Sequence, residues 1–342
     1  MPCRQGWDGL VPQNGGNARQ NKLVRIVRRQ KRILERARFP LRRSKYANHI
    51  YSDHQHVILL ALRQQLRKSY RDFCDLMEAC DSILNELGLT RVPHWTTLQK
   101  FSARAETMRL ERLLLVCLDE ARLRVLDLAV DSTGFSSTAA SCYYTRTLEL
   151  RTGEKRPPPQ QAPYQAPYQA DHGRRDEETA HRRAVKFRYG PANDSPDFIP
   201  VLRKILPARQ SVRLVVADKG YDSERNHEYA WRSLGARAVM PLRWGGTPRI
   251  WIKGQYRRKQ LKDFDTEAYH QRAIVETVHS VEKRKMGDIV LARGTCQQHK
   301  ELIFRAFAYN VGRLEAIFLL FIEDFYRARF SKHFYYPQFS IP

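Results

Sequence analysis

The sequence has no apolar run long enough to span a bilayer, no Cys-x-x-Cys pair and no apolar signal core near its start. The longest apolar stretch, Ala316 to Ile322, stops at Glu323 and Asp324, which excludes a spanning helix there. The six cysteines, Cys3, Cys74, Cys80, Cys117, Cys142 and Cys296, are scattered. That argues against a structural zinc site and fits a reducing cytoplasm, with Cys74, Cys117 and Cys142 read as core filler. Acid is the scarce charge: 36 Asp and Glu face 60 Lys and Arg in 342 residues, a formal net charge of +24. Such an excess calls for a polyanion, and without a membrane segment nucleic acid is the favoured one. No Ser/His/Asp grouping suggests a protein nucleophile.

The densest chemistry lies between Tyr269 and Lys283. The stretch has no Gly or Pro, and Asp265 or Thr266 can cap its start, so a helix is expected. At about 100° per residue, Tyr269, Arg272, Glu276 and Lys283 share an arc of roughly 60°, with Ile274, Val278 and Val281 opposite. Taken alone, that face also reads as solvated ion pairs spaced i,i+3 and i,i+4. Two further acids favour a chemical reading. Asp131 ends an apolar, strand-like run from Val125 to Val130, followed by Ser132, Thr133 and Gly134. Asp218 ends a second such run from Val212 to Ala217, followed by Lys219 and Gly220. Ligands gather at strand ends in α/β sheets. Two aspartates there and Glu276 on a packed helix can together hold two divalent metals, which clamp the attacking and leaving oxygens of a phosphodiester.

In this order Asp131, Asp218 and Glu276 resemble the DDE triad of the transposases of prokaryotic insertion sequences. The helix reads Tyr269, two residues, Arg272, three residues, Glu276, six residues, Lys283, which is the spacing of the YREK signature of the IS-four/IS-five groups. The contexts Asp131 to Phe135 and Ala217 to Asp222 are similar to that family too, and the resemblance covers about residues 50–325. It implies an RNase H-like mixed sheet flanked by helices, in which Asp131 bridges two Mg²⁺ ions, Asp218 holds one and Glu276 the other. Mn²⁺ is expected to substitute and zinc is not, because carboxylate and water ligands suit a hard, octahedral ion. It also implies that Tyr269 and Arg272 hold the backbone or a displaced base near the cut end, and that Lys283 meets a phosphate as a point charge. The implied partners are double-stranded DNA, as terminal inverted repeats and as target, and a second subunit in a homodimer on paired ends. The implied location is the cytoplasm of a prokaryotic cell, at the nucleoid.

Taken in order, residues 1–48 read as a basic arm with thirteen Lys and Arg against Asp8 and Glu35. A basic helix is expected between Lys22 and Arg38, with Arg28 and Arg29 on DNA phosphates, or else a solvated tail. Residues 49–122 read as an all-α, DNA-binding domain. Ser52 to Gln55 opens it as a capping box, and a break at Val92, Pro93 and His94 precedes a helix from Trp95 to Ala105. As a helix-turn-helix it would present Thr97, Lys100 and Arg104 to DNA; as a plain bundle it would serve as a spacer. Residues 123–325 read as the α/β catalytic domain, and 326–342 as a tail. Further strands are expected at Tyr143 to Leu150, at Val185 to Tyr189, which carries Lys186 near the site, and at Ala236 to Leu242. Helices are expected at Ser195 to Leu206, Glu224 to Leu234 and Arg293 to Phe321. The Pro/Gln/Tyr segment at about 154–180, with its duplicated Gln-Ala-Pro-Tyr, reads as an exposed loop. His279 reads as a surface histidine, Asp127 as structural, and Asp222 as a cap for the helix at Glu224.

The expected function is therefore Mg²⁺-dependent DNA cleavage and strand transfer at the ends of an insertion sequence. The alternatives are a catalytically inactive DNA-binding protein that retains the fold, and an RNase H-fold nuclease that cuts without joining.

Overall fold

A computed structural model describes residues 21–43, 46, 50–120, 125–137, 164–172, 182–188, 193–205, 211–243 and 252–330. Six helices come first: α1 Lys22–Arg36, α2 Asp53–Leu66, α3 Tyr70–Glu78, α4 Asp81–Leu87, α5 Trp95–Arg104 and α6 Thr107–Glu120. Their ends follow local chemistry. The Ser52 hydroxyl accepts from Gln55 N and the Gln55 side chain accepts from Ser52 N, a reciprocal cap that opens α2. Pro93 precedes α5 as a break.

The remaining elements build a sheet and its covers: β1 Val125–Ser137, β2 Tyr164–His172, β3 Arg182–Val185, α7 Phe198–Arg203, β4 Ser211–Ala217, α8 Glu224–Leu234, β5 Arg237–Val239, α9 Gln255–Lys262, α10 Thr266–His270, α11 Ala273–Met286, β6 Ile289–Val290 and α12 Thr295–Phe330. The sheet runs β3-β2-β1-β4-β5, with β6 on the far end of β1. β2 lies antiparallel to β1 and to β3, whereas β4 is parallel to β1 and to β5. This is a mixed sheet flanked by helices, compatible with an RNase H-like arrangement. Among the described residues no helix is long and apolar enough to cross a membrane.

Side-chain alternation divides the core in two. Leu126, Leu128 and Val130 of β1, with Val215 and Ala217 of β4, pack with α7 and α8 residues such as Phe198, Leu202 and Ala230. The opposite residues, Ala129 and Phe135 of β1 with Leu214 and Val216 of β4, join a core shared by α1–α6, α11 and α12. Among the described residues the helical segment is thus continuous with one face of the sheet.

Three regions differ from the sequence expectation. The helix read as a basic arm is α1, and it packs on α4, α6 and α12 through Val24, Ile26, Val27, Ile33 and Leu34. An apolar stripe repeating every three to four residues buries one side of any helix, however basic the other. Residues 164–172, read as loop, form β2 and pair with nine residues of β1. Here tertiary pairing outweighs the poor strand propensity of Pro167. The strand expected at Val185 to Tyr189 is instead β3, ending at Val185. The expected strand at Tyr143 to Leu150, the start of the arm and the tail beyond residue 330 lie outside the described residues.

Candidate active site

Asp131 does not end its strand. β1 continues to Ser137 because β2 keeps pairing with it from Asp131 opposite Tyr168 to Phe135 opposite Tyr164, and β6 takes Ser136 and Ser137. Gly134 therefore lies within the strand, opposite Gln165, and makes no turn. What ends near Asp131 is the parallel pairing with β4, whose last match is Val130 with Ala217. Asp218 follows at once, extended at φ −69° and ψ 162°, and leads into a short 3₁₀ turn from Lys219 to Tyr221. Register alone therefore sets Asp131 and Asp218 at the next step of two neighbouring strands, where β4 stops.

The stretch expected as one helix is two, α10 and α11. Asp265 caps α10 by accepting from Ala268 N at 2.8 Å. Between the two helices the amides of Gln271, Arg272, Ile274 and Val275 bond carbonyls three residues back, at 2.9–3.3 Å. The chain is locally tightened to 3₁₀ pitch without Gly or Pro. The expected face survives this change. α11 packs across β1 and β2, and the Arg272 guanidinium lies 3.7 Å from Asp131 Oδ1 and 2.9 Å from Glu276 Oε1. The Tyr269 hydroxyl stands close enough to Arg272 to interact with it electrostatically. Lys283, two turns past Glu276, sits 5.5 Å over the ring of Phe135, which buried Arg305 also approaches at 5.7 Å.

The site's electrostatics follow from this packing. The Asp131 side chain is only 12% exposed. Burial pushes its carboxyl up to about 6; Arg272 opposes the shift, while Asp218 and Glu276 reinforce it. Glu276 is more open, at 57% exposure. The Arg272 guanidinium is shifted above its ordinary range: burial opposes this, and Asp131, Asp218, Tyr269 and Glu276 together outweigh it. His279, expected on the surface, is buried with Nε2 4.0 Å from Asp131 Oδ2, because α11 turns this side toward β1.

The acids fit hard divalent cations in kind: oxygen donors, one of them buried, with mutual repulsion that a cation would relieve. Among the described residues no three His, Cys, Asp or Glu side chains converge closely enough to hold a single ion. Asp131 instead stands within electrostatic reach of Asp218 and of Glu276.

Of the residues expected on DNA, Lys100 and Arg104 are exposed on α5, opposite buried Leu98 and Phe101, and Thr97 is half-buried. Three others are committed elsewhere. Lys186 pairs with Asp197, which is 4% exposed and also takes Arg188 at 3.0 Å. Arg28 meets Glu86 at 2.8 Å. Arg29 is buried, bonded to Glu315 at 3.0 Å and stacked 5.1 Å from the Phe318 ring. Asp127 is structural, held by Arg213. Asp222 does not cap α8; Ser223 does, accepting from Asn226 N at 3.2 Å. The buried Asp222 carboxylate instead accepts from Arg257 at 2.7 Å and from Arg243 N at 2.8 Å, tying α9 to α8.

Two features escaped the sequence reading. Asp194 lies at the site, within hydrogen-bonding reach of the Ser132 side chain and within electrostatic reach of Asp218. Its local sequence, Asn193-Asp194-Ser195-Pro196, signals only a turn. At the other end of α11, Lys285 has its ammonium held below the usual range by burial and by Lys22, Arg313 and Arg284, all cations. Arg67 adds a further charge there, its Nη1 3.4 Å from Arg284 O. No local pattern brings residues 22, 67, 284 and 313 together.

A P element transposase from Drosophila, solved in a strand transfer complex, has 13% sequence identity and a TM-score of 0.29, over 62% of this chain and 44% of that chain. The chain thus spans less than half of that protein. No curated protein matches the chain. Residues 172–311 match the family model of the transposase DDE domain, a stretch that begins beyond Asp131 and contains Asp218, Tyr269, Arg272, Glu276 and Lys283.

Proposed function

We propose that this chain is a transposase of the IS-four/IS-five type that cuts and joins DNA at the terminal inverted repeats of an insertion sequence. The observation that carries the proposal is the register of Asp131 and Asp218 at adjacent strand steps, beneath a helix that brings Arg272 to Asp131 and Glu276 to Arg272. The DDE domain match over 172–311 supports it independently.

Asp131 and Asp218 would hold one Mg²⁺, and Asp131 and Glu276 a second, with Mn²⁺ able to replace either. Divalent cations held there would supply Lewis-acid chemistry, lowering the pKa of an attacking water or 3′-hydroxyl and offsetting charge on the leaving oxygen. The chain's own residues bind and orient. Arg272, held by two carboxylates and Tyr269, presents a planar fork for a phosphodiester oxygen or a displaced base. Lys283 places a point charge two turns along, and His279 beside Asp131 limits its hydration. Lys100 and Arg104 on α5 and the cations around Lys285 extend the track for the DNA backbone. Two subunits on paired ends, working at the nucleoid of a prokaryotic cell, complete the reading.

The test is a cleavage assay of the purified protein on its own terminal-repeat DNA with Mg²⁺, against Glu276→Gln. Equal cutting by the variant would end the assignment. Strand-transfer products from a pre-cut donor end separate a transposase from a nuclease that cuts without joining. Specific binding without cutting under any metal would favour an inactive protein that retains the fold.

A further inference from the structure

Asp194 touches the surroundings of both aspartates. The side chain of Ser132, the residue after Asp131, lies within hydrogen-bonding reach of its carboxyl. Its other neighbour is the turn that follows Asp218: a Cβ placed on Gly220 would lie 3.4 Å from Asp194 Oδ2. The loop around Asp194 is itself fastened. Asn226, 3% exposed, donates from Nδ2 to Ser195 O and Oγ, both at 3.0 Å, and to Tyr221 O at 2.8 Å. Arg188 lies 3.6 Å from Asp194 Oδ1 and donates to Asn193 O at 2.8 Å. Asp197 N donates to Asp194 O at 2.9 Å.

We propose that Asp194 is a positioning residue that clamps the Ser132 segment of β1 to the turn after β4, and so keeps the Asp131 and Asp218 carboxylates side by side. Two like charges on neighbouring strands repel, and β4 has no ladder bond to β1 beyond Ala217 to resist them. A hydrogen bond between the Ser132 hydroxyl and Asp194 supplies that resistance. Arg188 and the Gly220 backbone flank the Asp194 oxygens, which makes Asp194 a brace for the pair. The inference rests on the proposed function only in taking Asp131 and Asp218 as a cation-holding pair.

The test uses the full-length protein and Tb³⁺, a hard oxygen-seeking ion whose luminescence is sensitised by nearby Tyr and Trp, with circular dichroism as the check on folding. Asp194→Ala and Ser132→Ala are each expected to weaken Tb³⁺ binding about tenfold or more. Asp194→Asn, whose amide oxygen still accepts from Ser132, should stay within about threefold of wild type. The double variant Ser132→Ala/Asp194→Ala should be no weaker than Asp194→Ala alone. Unchanged binding in Asp194→Ala overturns the proposal. So does Asp194→Asn falling as far as Asp194→Ala, which would make the charge itself a ligand. If Asp194→Ala does not fold, Ser132→Ala decides alone, and unchanged binding there overturns it. Because Tb³⁺ binding is read without cleavage, a wild type that binds the ion but cuts nothing sinks the proposed function and leaves this inference standing on the variants.

Discussion

α1 and α11 are both helices with an apolar side and a strongly charged side, yet their charges end in different places. On α1 five of the seven cations meet glutamates of the same core. Arg25 and Arg29 share Glu315 at 2.7 and 3.0 Å, Arg28 and Lys31 share Glu86, and Arg36 reaches Glu120. On α11 Arg272 faces Asp131 of the central strand, and Lys285 is surrounded by other cations. The first set fastens helices to one another. The second leaves a buried carboxyl with a raised pKa and a patch of like charge, neither of which fastens the fold. Net charge along a helix does not say which case applies; the partners do.

The comparison can be broken hardest at Asp131. Asp131→Asn is expected to lower cleavage by about a hundredfold to a thousandfold or more, as removal of a preorganised charge does. It should also stabilise the metal-free protein. A carboxyl whose folded pKa is raised to about 6 costs stability wherever it is ionised, so the variant's gain is absent below the unfolded value near pH 4. It then grows as pH rises to about 6, to on the order of 2 kcal/mol. Thermal melts across that pH range in EDTA check it; a variant no more stable than wild type at pH 7 would count against a strained site.

The matching break on α1 is Glu315→Gln. It leaves Arg25 and Arg29 in a site where Glu315 is 3% exposed, and should cost about 3–5 kcal/mol in urea unfolding. DNA affinity per folded molecule should not change. A loss of DNA binding without a loss of stability would return α1 to the role of a DNA arm.

The smallest effect sharpens the contrast. Arg284→Gln with Lys285→Gln should flatten the dependence of log DNA affinity on log salt by about two, one for each phosphate no longer neutralised. Arg28→Gln with Lys31→Gln removes the same charge from α1 and should leave that slope nearly unchanged. Equal slopes for the two pairs would mean that only total charge matters.

Much of this was legible in the residues. The Ser52 capping box, the Pro93 break before α5, the bounds of α8 at Glu224 and Leu234, and the apolar stripe of Phe304, Phe307, Val311 and Leu314 on α12 all depend on neighbours within a few positions. So does the face that sets Arg272 and Glu276 together. Misreadings came where a distant chain segment decides. β1 looked as if it stopped at Asp131 because its apolar run stops there, but ladder bonds from β2 carry it on. Residues 164–172 lack strand character and gain it from the same pairing. Asp194 went unread, because Ser132 lies 62 positions away and nothing nearby marks it.

By itself the sequence determined most of the helices, the apolar runs that become β1 and β4, and which acids were candidates for a site, because periodicity, caps and charge are local properties of a chain. Only the tertiary structure decided which cations are tied to glutamates and which crowd together, that Asp131 lies buried within a longer strand, and that Asp194 stands beside it. Those outcomes depend on burial and on contacts between residues far apart in the chain, which no stretch of sequence contains.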